Sequence, residues 1–216
     1  MPAHPVLYLK HLVSIITLAA VFYLLLNLPA FLIRVQKPNG PVGFLPTVTQ
    51  PEATKQGLTV ARLGISAPIN FDQDASDEPR LLQSLQSGVT HLLGTARPGE
   101  KGNTVIVGHS SNYPWDRGQY KTVFASLGRL EALDFIELRR GKTTYLYQVT
   151  GKRVVAPTDL FVLAQTSEPQ LTLITCTPLG TTWRRLVVTA RQISPDPAAN
   201  RAFAGQPLVG SLPGPR

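Results

Sequence analysis

Cys176 is the only cysteine in the chain. A lone thiol is an inert small hydrophobe when it is simply packed, and a nucleophile when an imidazole or guanidinium helps it ionise. Its context, Thr172-Leu173-Ile174-Thr175-Cys176-Thr177-Pro178, ends an apolar β-branched run just before a Pro-containing loop. Four histidines could act as its base. His4 and His11 lie before or within a long apolar stretch, out of reach of the body of the chain. His91 sits between apolar residues in Gly88–Gly94 and reads as structural. His109 ends the run Thr104-Val105-Ile106-Val107-Gly108 and opens a polar loop, a position that suits acid–base work on a rigid scaffold. Arg184 and Arg185 follow the cysteine by eight and nine residues, at the start of the next apolar run. Successive residues of a strand face opposite ways, so only one of these arginines can share a face with the thiol. A thiolate, an imidazole and a guanidinium together suit acyl transfer through a covalent intermediate, with the guanidinium on the developing oxyanion. For each of the three, the plain alternative is a packed thiol, a structural histidine or a solvated surface charge.

The elements that would hold these residues are short. Apolar, β-branched runs occur at 58–65, 104–108, 143–149, 153–156, 171–175 and 185–190, and several alternate with polar residues. Gly, Pro and Asp clusters separate them. Two stretches read as helical: Pro79–Leu85, with Pro in the first turn, and Tyr120–Leu130. Many short strands with few helices between them predict a mainly β fold, a closed barrel or a sandwich, and exclude a doubly wound α/β sheet.

Around this body, 57–193, lie segments of different character. Residues 12–33 carry no ionisable side chain, and as a helix those 22 residues would cross a hydrocarbon core of ~30 Å. The run is longer than a signal-peptide core and has no small-residue cleavage site at its exit, so it reads as a transmembrane helix after a short segment, 1–11. Lys10 on one side and Arg34 and Lys37 on the other leave its orientation open. Pro38, Gly40, Pro41, Gly43, Pro46 and Pro51 make 34–56 an extended linker. Residues 194–216, rich in Pro, Gly and Ala, read as a flexible tail. The net charge of +8 is spread along the chain without a stripe of Lys and Arg interleaved with aromatics, which argues against a nucleic-acid partner. One cysteine excludes an intramolecular disulfide framework and a Cys-based zinc site, and no metal or other cofactor is expected.

The string Thr172-Leu173-Ile174-Thr175-Cys176, with Arg185 nine residues on, resembles the signature of the sortase family. Gly94–Asn103 running into Val105-Ile106-Val107-Gly108-His109-Ser110 resembles that family's histidine motif and its lead-in. Phe124–Leu127 and Leu130–Leu138 resemble the connecting region, with Leu133 where the family commonly has Gly. The loop Ser111–Gly118 is longer and more aromatic than in the best-known members. The resemblance implies a closed sortase-like β-barrel with one or two short helices, anchored in the cell membrane with its catalytic domain outside. It also implies a cysteine transpeptidase acting on a sorting signal near the C-terminus of secreted proteins. Cys176 would form a thioacyl intermediate, and His109 would be acid and then base. Arg185 would hold substrate and the oxyanion, and Thr175 would help position the peptide. The acceptor would be an amine, from a cell-wall precursor or a pilin lysine. Loop 157–170 would shape peptide preference.

Three other readings compete. A non-catalytic extracytoplasmic β module would not need the Cys, His and Arg together. A hydrolase would use the same site with water as acceptor. An L,D-transpeptidase carries a Ser-x-Gly-Cys context, which Ile174-Thr175-Cys176 does not match.

Overall fold

The computed structural model describes residues 5–35, 56–111 and 118–205, and within the first segment it describes the side chains of 10–25. Most of the expected linker, the end of the expected tail (206–216) and loop residues 112–117 lie outside the described residues.

The apolar N-terminal run forms α1 (Pro5–Val35). Among the described residues no helix is long and apolar enough to cross a membrane. The body then begins with β1 (Gln56–Val60) and β2 (Ile65–Gln73). The single strand expected over 58–65 is broken by a 3-10 turn at Ala61–Leu63. Gly64, at φ 66°, turns the chain back there, so that Val60 pairs with Ile65. α2 (Glu78–Gln86) lies where Pro79–Leu85 predicted it. Asp77 caps it by accepting from Arg80 N, and Leu81 and Leu85, four apart, are its buried stripe.

β3 (Val89–Leu92) contains His91, and β4 (Asn103–Val107) leads to His109. β5 (Phe135–Arg140) follows, then β6 (Thr143–Val155), β7 (Gln170–Thr177) and β8 (Arg184–Ser194). The two expected strands at 143–149 and 153–156 are one, because a register shift between Val149 and Gly151 absorbs the polar interruption. The helix expected over Tyr120–Leu130 is not there. The segment is a run of turns ending in a 3-10 turn at Leu127–Arg129, with bonds three residues apart such as Ala125 N to Thr122 O (2.9 Å). Phe124 N, which an α-helix would aim at Tyr120 O, donates instead to His109 O (2.8 Å). Leu133 sits at φ 74°, the left-handed region that favours Gly.

The eight strands close into a barrel in the order β1-β2-β3-β4-β7-β8-β6-β5, sealed by β1 against β5. Two neighbouring pairs are parallel, β2/β3 across α2 and β4/β7. Strand alternation splits the buried side chains into two layers. Ile106, Leu171, Leu173, Leu186 and Val188 fill the inside. Val105, Val107, Ile174 and Val187 form a second cluster on the outer face, under Leu81 and Leu85 of α2 and Val162 and Leu163 of the β6–β7 loop.

Inside the expected tail, β8 runs to Ser194 and the chain stays docked as far as Arg201. Arg201 N donates to Gly99 O (3.1 Å) and Lys101 N to Arg201 O (2.7 Å). The Gln192 and Asn200 side chains bond each other across the intervening turn, which holds it against the barrel.

Candidate active site

The site grows from the parallel pair β4/β7, in register with Val107 opposite Ile174. Pairing continues past the end of β4. Gly108 N donates to Ile174 O (3.1 Å), and the Thr175 hydroxyl donates to Gly108 O (2.7 Å). Two residues beyond Val107 comes His109, and two beyond Ile174 comes Cys176. Cys176 continues the outer face of β7, and the alternation of β4, carried two residues past its end, would set His109 on the same face. Gly108 makes this possible, since a Cβ there would meet Phe124 Cδ2 at 2.5 Å. The Phe124 ring packs under the His109 turn and is 1% exposed.

On the other side of β7 the register with β8 sets Cys176 opposite Arg185, and Thr177 opposite Arg184. Cross-strand partners share a face, so Arg185 stands beside the thiol. Arg184 faces the other way and is exposed. Arg185 is 4% exposed, and its Nη1 donates to Thr182 O (2.8 Å). Cys176 is half-buried, and burial pushes its thiol up from the ordinary value while the charge of Arg185 pulls it down. A guanidinium beside a thiol can favour the thiolate and can meet negative charge that develops next to it.

Thr175 is placed differently from a peptide-contacting residue. Alternation turns its side chain away from Cys176, it is 4% exposed, and its hydroxyl is engaged by Gly108 O. It ties the cysteine strand to the histidine strand. Sequence gave no hint of that, because the two partners lie 67 residues apart. His91 is fully buried on the inner face. Its Nε2 lies 3.1 Å from Ala96 O and 3.0 Å from Thr95 Oγ1, and its Nδ1 lies 3.4 Å from Asp72 Oδ1. Its Asp72 neighbour is bonded by Arg97, from Nε at 2.9 Å and again from Nη2. The structural role expected of His91 fits this surrounding.

The exposed Leu160 and Phe161 stand in the loop that leaves β6 after Val155, the partner of Arg185, with the Arg153 guanidinium 4.3 Å over the Phe161 ring. Trp183, just before β8, is 74% exposed. Tyr23 of α1 donates from its hydroxyl to Leu179 O (2.7 Å) in the β7–β8 loop. Among the described residues no three His, Cys, Asp or Glu side chains gather as metal ligands would.

A family model described as the sortase domain matches residues 58–193. The chain is 25% identical over 141 residues to sortase D of Bacillus subtilis and spans 63% of that relative's length. Among solved structures, a sortase D5 transpeptidase of Clostridium perfringens is 26% identical at a TM-score of 0.53, covering 64% of this chain and 78% of its own. Sortase C-1 of Actinomyces oris is 27% identical at a TM-score of 0.56, covering 67% of this chain and 77% of its own. Sortase A of Corynebacterium diphtheriae is 30% identical at a TM-score of 0.54, covering 66% and 61%. With a family model matching nearly all of the barrel, residues 58–193, the chain belongs to the sortase family.

Proposed function

We propose that this protein is a cysteine transpeptidase that cleaves a sorting signal near the C-terminus of secreted proteins and passes the acyl group to an amine. The observation that carries this is Cys176 directly opposite Arg185 across β7/β8, at the end of the strand that pairs with β4, two residues after which comes His109. His109 takes the proton of Cys176, and the resulting thiolate attacks the scissile carbonyl carbon. Arg185, with a fixed fork of donors, meets the oxygen as it becomes negative. The C–N bond breaks as His109 gives a proton to the leaving amine, and a thioester remains on Cys176. His109 then takes a proton from the incoming amine, which attacks the thioester and releases the thiolate. An extended peptide would lie beside Cys176 and Arg185, with the exposed Leu160, Phe161 and Trp183 available to its apolar side chains. Loop 157–170 shapes the preference.

The acceptor amine belongs to a cell-wall precursor or a pilin lysine in this reading. The apolar run at 12–33 supports a single-pass anchor in the cell membrane, and membership of the sortase family supports a barrel outside it. Insertion of that run into a bilayer requires Tyr23 to leave Leu179. Incubating the full chain and its Cys176→Ala variant with sorting-type peptides and an amine, followed by mass spectrometry, tests the proposal. A Cys176-linked acyl adduct with amine-exchanged product supports it. An adduct giving only hydrolysed peptide supports the hydrolase instead, and a folded protein with no adduct overturns both.

A further inference from the structure

The β7–β8 loop, which joins Cys176 to Arg185, is held in three places. Pro178–Thr181 is a closed turn, with Thr181 N and Thr181 Oγ1 both donating to Pro178 O (3.1 and 2.9 Å) and Gly180 at φ 77°. At the far end of the loop, Thr182 O accepts from Arg185 Nη1 (2.8 Å). Between them, Gly180 N donates to the Ser111 hydroxyl (2.8 Å). Ser111 lies two residues after His109, and 69 residues separate it from Gly180. The histidine loop therefore holds the turn that fixes the carbonyl to which the arginine is bonded.

We propose that Ser111 is a positioning residue for the transpeptidase reaction, acting through Gly180 and Thr182 on the guanidinium of Arg185. This rests on the catalytic reading of Cys176 and Arg185 above. The Ser111 hydroxyl touches neither reacting atom. It sets where the β7–β8 loop lies, and so where the fork of Arg185 stands relative to the thiol. Among the described residues, Arg185 Nη1 donates to Thr182 O and lies 3.4 Å from Arg184 O, both at the end of this loop. A loop that drifts carries its anchor with it.

The test uses the full chain with Ser111→Val and Ser111→Thr, which share one branched shape and differ in the hydroxyl that only Thr keeps. Each is made alone and in an Arg185→Gln background. Two readouts are taken: kcat and KM for amine exchange, and the pH midpoint of Cys176 alkylation by iodoacetamide. We expect Ser111→Val to lower kcat about tenfold, the scale of one hydrogen bond, with KM changed less than about twofold. Ser111→Thr should restore kcat. In Arg185→Gln, Ser111→Val should cost nothing further, and its upward shift of the alkylation midpoint should vanish. A full additional loss in that background overturns the proposal, as does a Ser111→Val enzyme with unchanged kcat and midpoint, or a Ser111→Thr enzyme as impaired as Ser111→Val. Wild type without any amine exchange would sink the functional reading, while the alkylation arm would still decide what Ser111 does to Arg185.

Discussion

Cys176 is under two opposed influences, burial that favours its neutral form and the Arg185 charge that favours the thiolate, and burial is the larger. The thiol of the folded protein therefore titrates above an ordinary cysteine. Iodoacetamide alkylation of wild type should rise with pH to a midpoint above about 8.5. Replacing Arg185 by Gln removes the opposing charge and should move that midpoint higher still; a midpoint that falls, or stays fixed, would contradict the pairing. At this scale the sequence was informative, because the chemistry of a lone thiol, an imidazole and a guanidinium belongs to the residue types themselves. Which arginine faced the thiol needed the register, and Cys176 opposite Arg185 decided it. The hydroxyl of Thr175 could not be read from sequence, since its partner is a backbone carbonyl on another strand.

The continuous β-branched runs in β4, β7 and β8 were visible because strands buried on both faces need little else. β3 was missed: four residues with Thr90 and His91 in the middle carry too little pattern. β5 was missed too, since its alternation Phe135-Ile136-Glu137-Leu138 runs straight into Arg139 and Arg140. The helix expected at 120–130 failed for a tertiary reason, with the amide of Phe124 engaged by His109 O and its ring fitted against Gly108. That fit gives a prediction belonging to the elements rather than to any reacting group. Gly108→Ala pushes a methyl into Phe124, which holds the turn after β4, so His109 should be displaced. We expect a loss of about tenfold or more in kcat, with Cys176 alkylation at fixed pH changed less than about threefold. Restored kcat in Gly108→Ala/Phe124→Leu would identify the clash as the cause.

Across the whole molecule, Asp72, His91 and Arg97 clamp the end of β2 to β3 and to the loop before β4. The His91 ring and then the Arg97 guanidinium hold the Asp72 carboxyl well below the usual carboxylate range. A depressed carboxyl contributes stability that is present above its unfolded pKa and is lost as pH falls toward its folded one. Asp72→Asn should therefore cost about 1–3 kcal/mol in urea denaturation at pH 7, a gap that is full above about pH 5 and shrinks below about pH 4. Asn tolerates the left-handed backbone of Asp72 (φ 60°), so the substitution isolates the charge. The strand order has another consequence, for the birth of the protein. β4 has β3 and β7 as neighbours, and β7 begins only at Gln170. During synthesis the apolar edge of β4 waits for on the order of several seconds before its second neighbour leaves the ribosome. The strand that leads to the histidine is thus, with β1, which waits for β5, one of the two that a nascent chain must guard longest against pairing with the wrong partner, and a chaperone that shields extended apolar segments would find a target there.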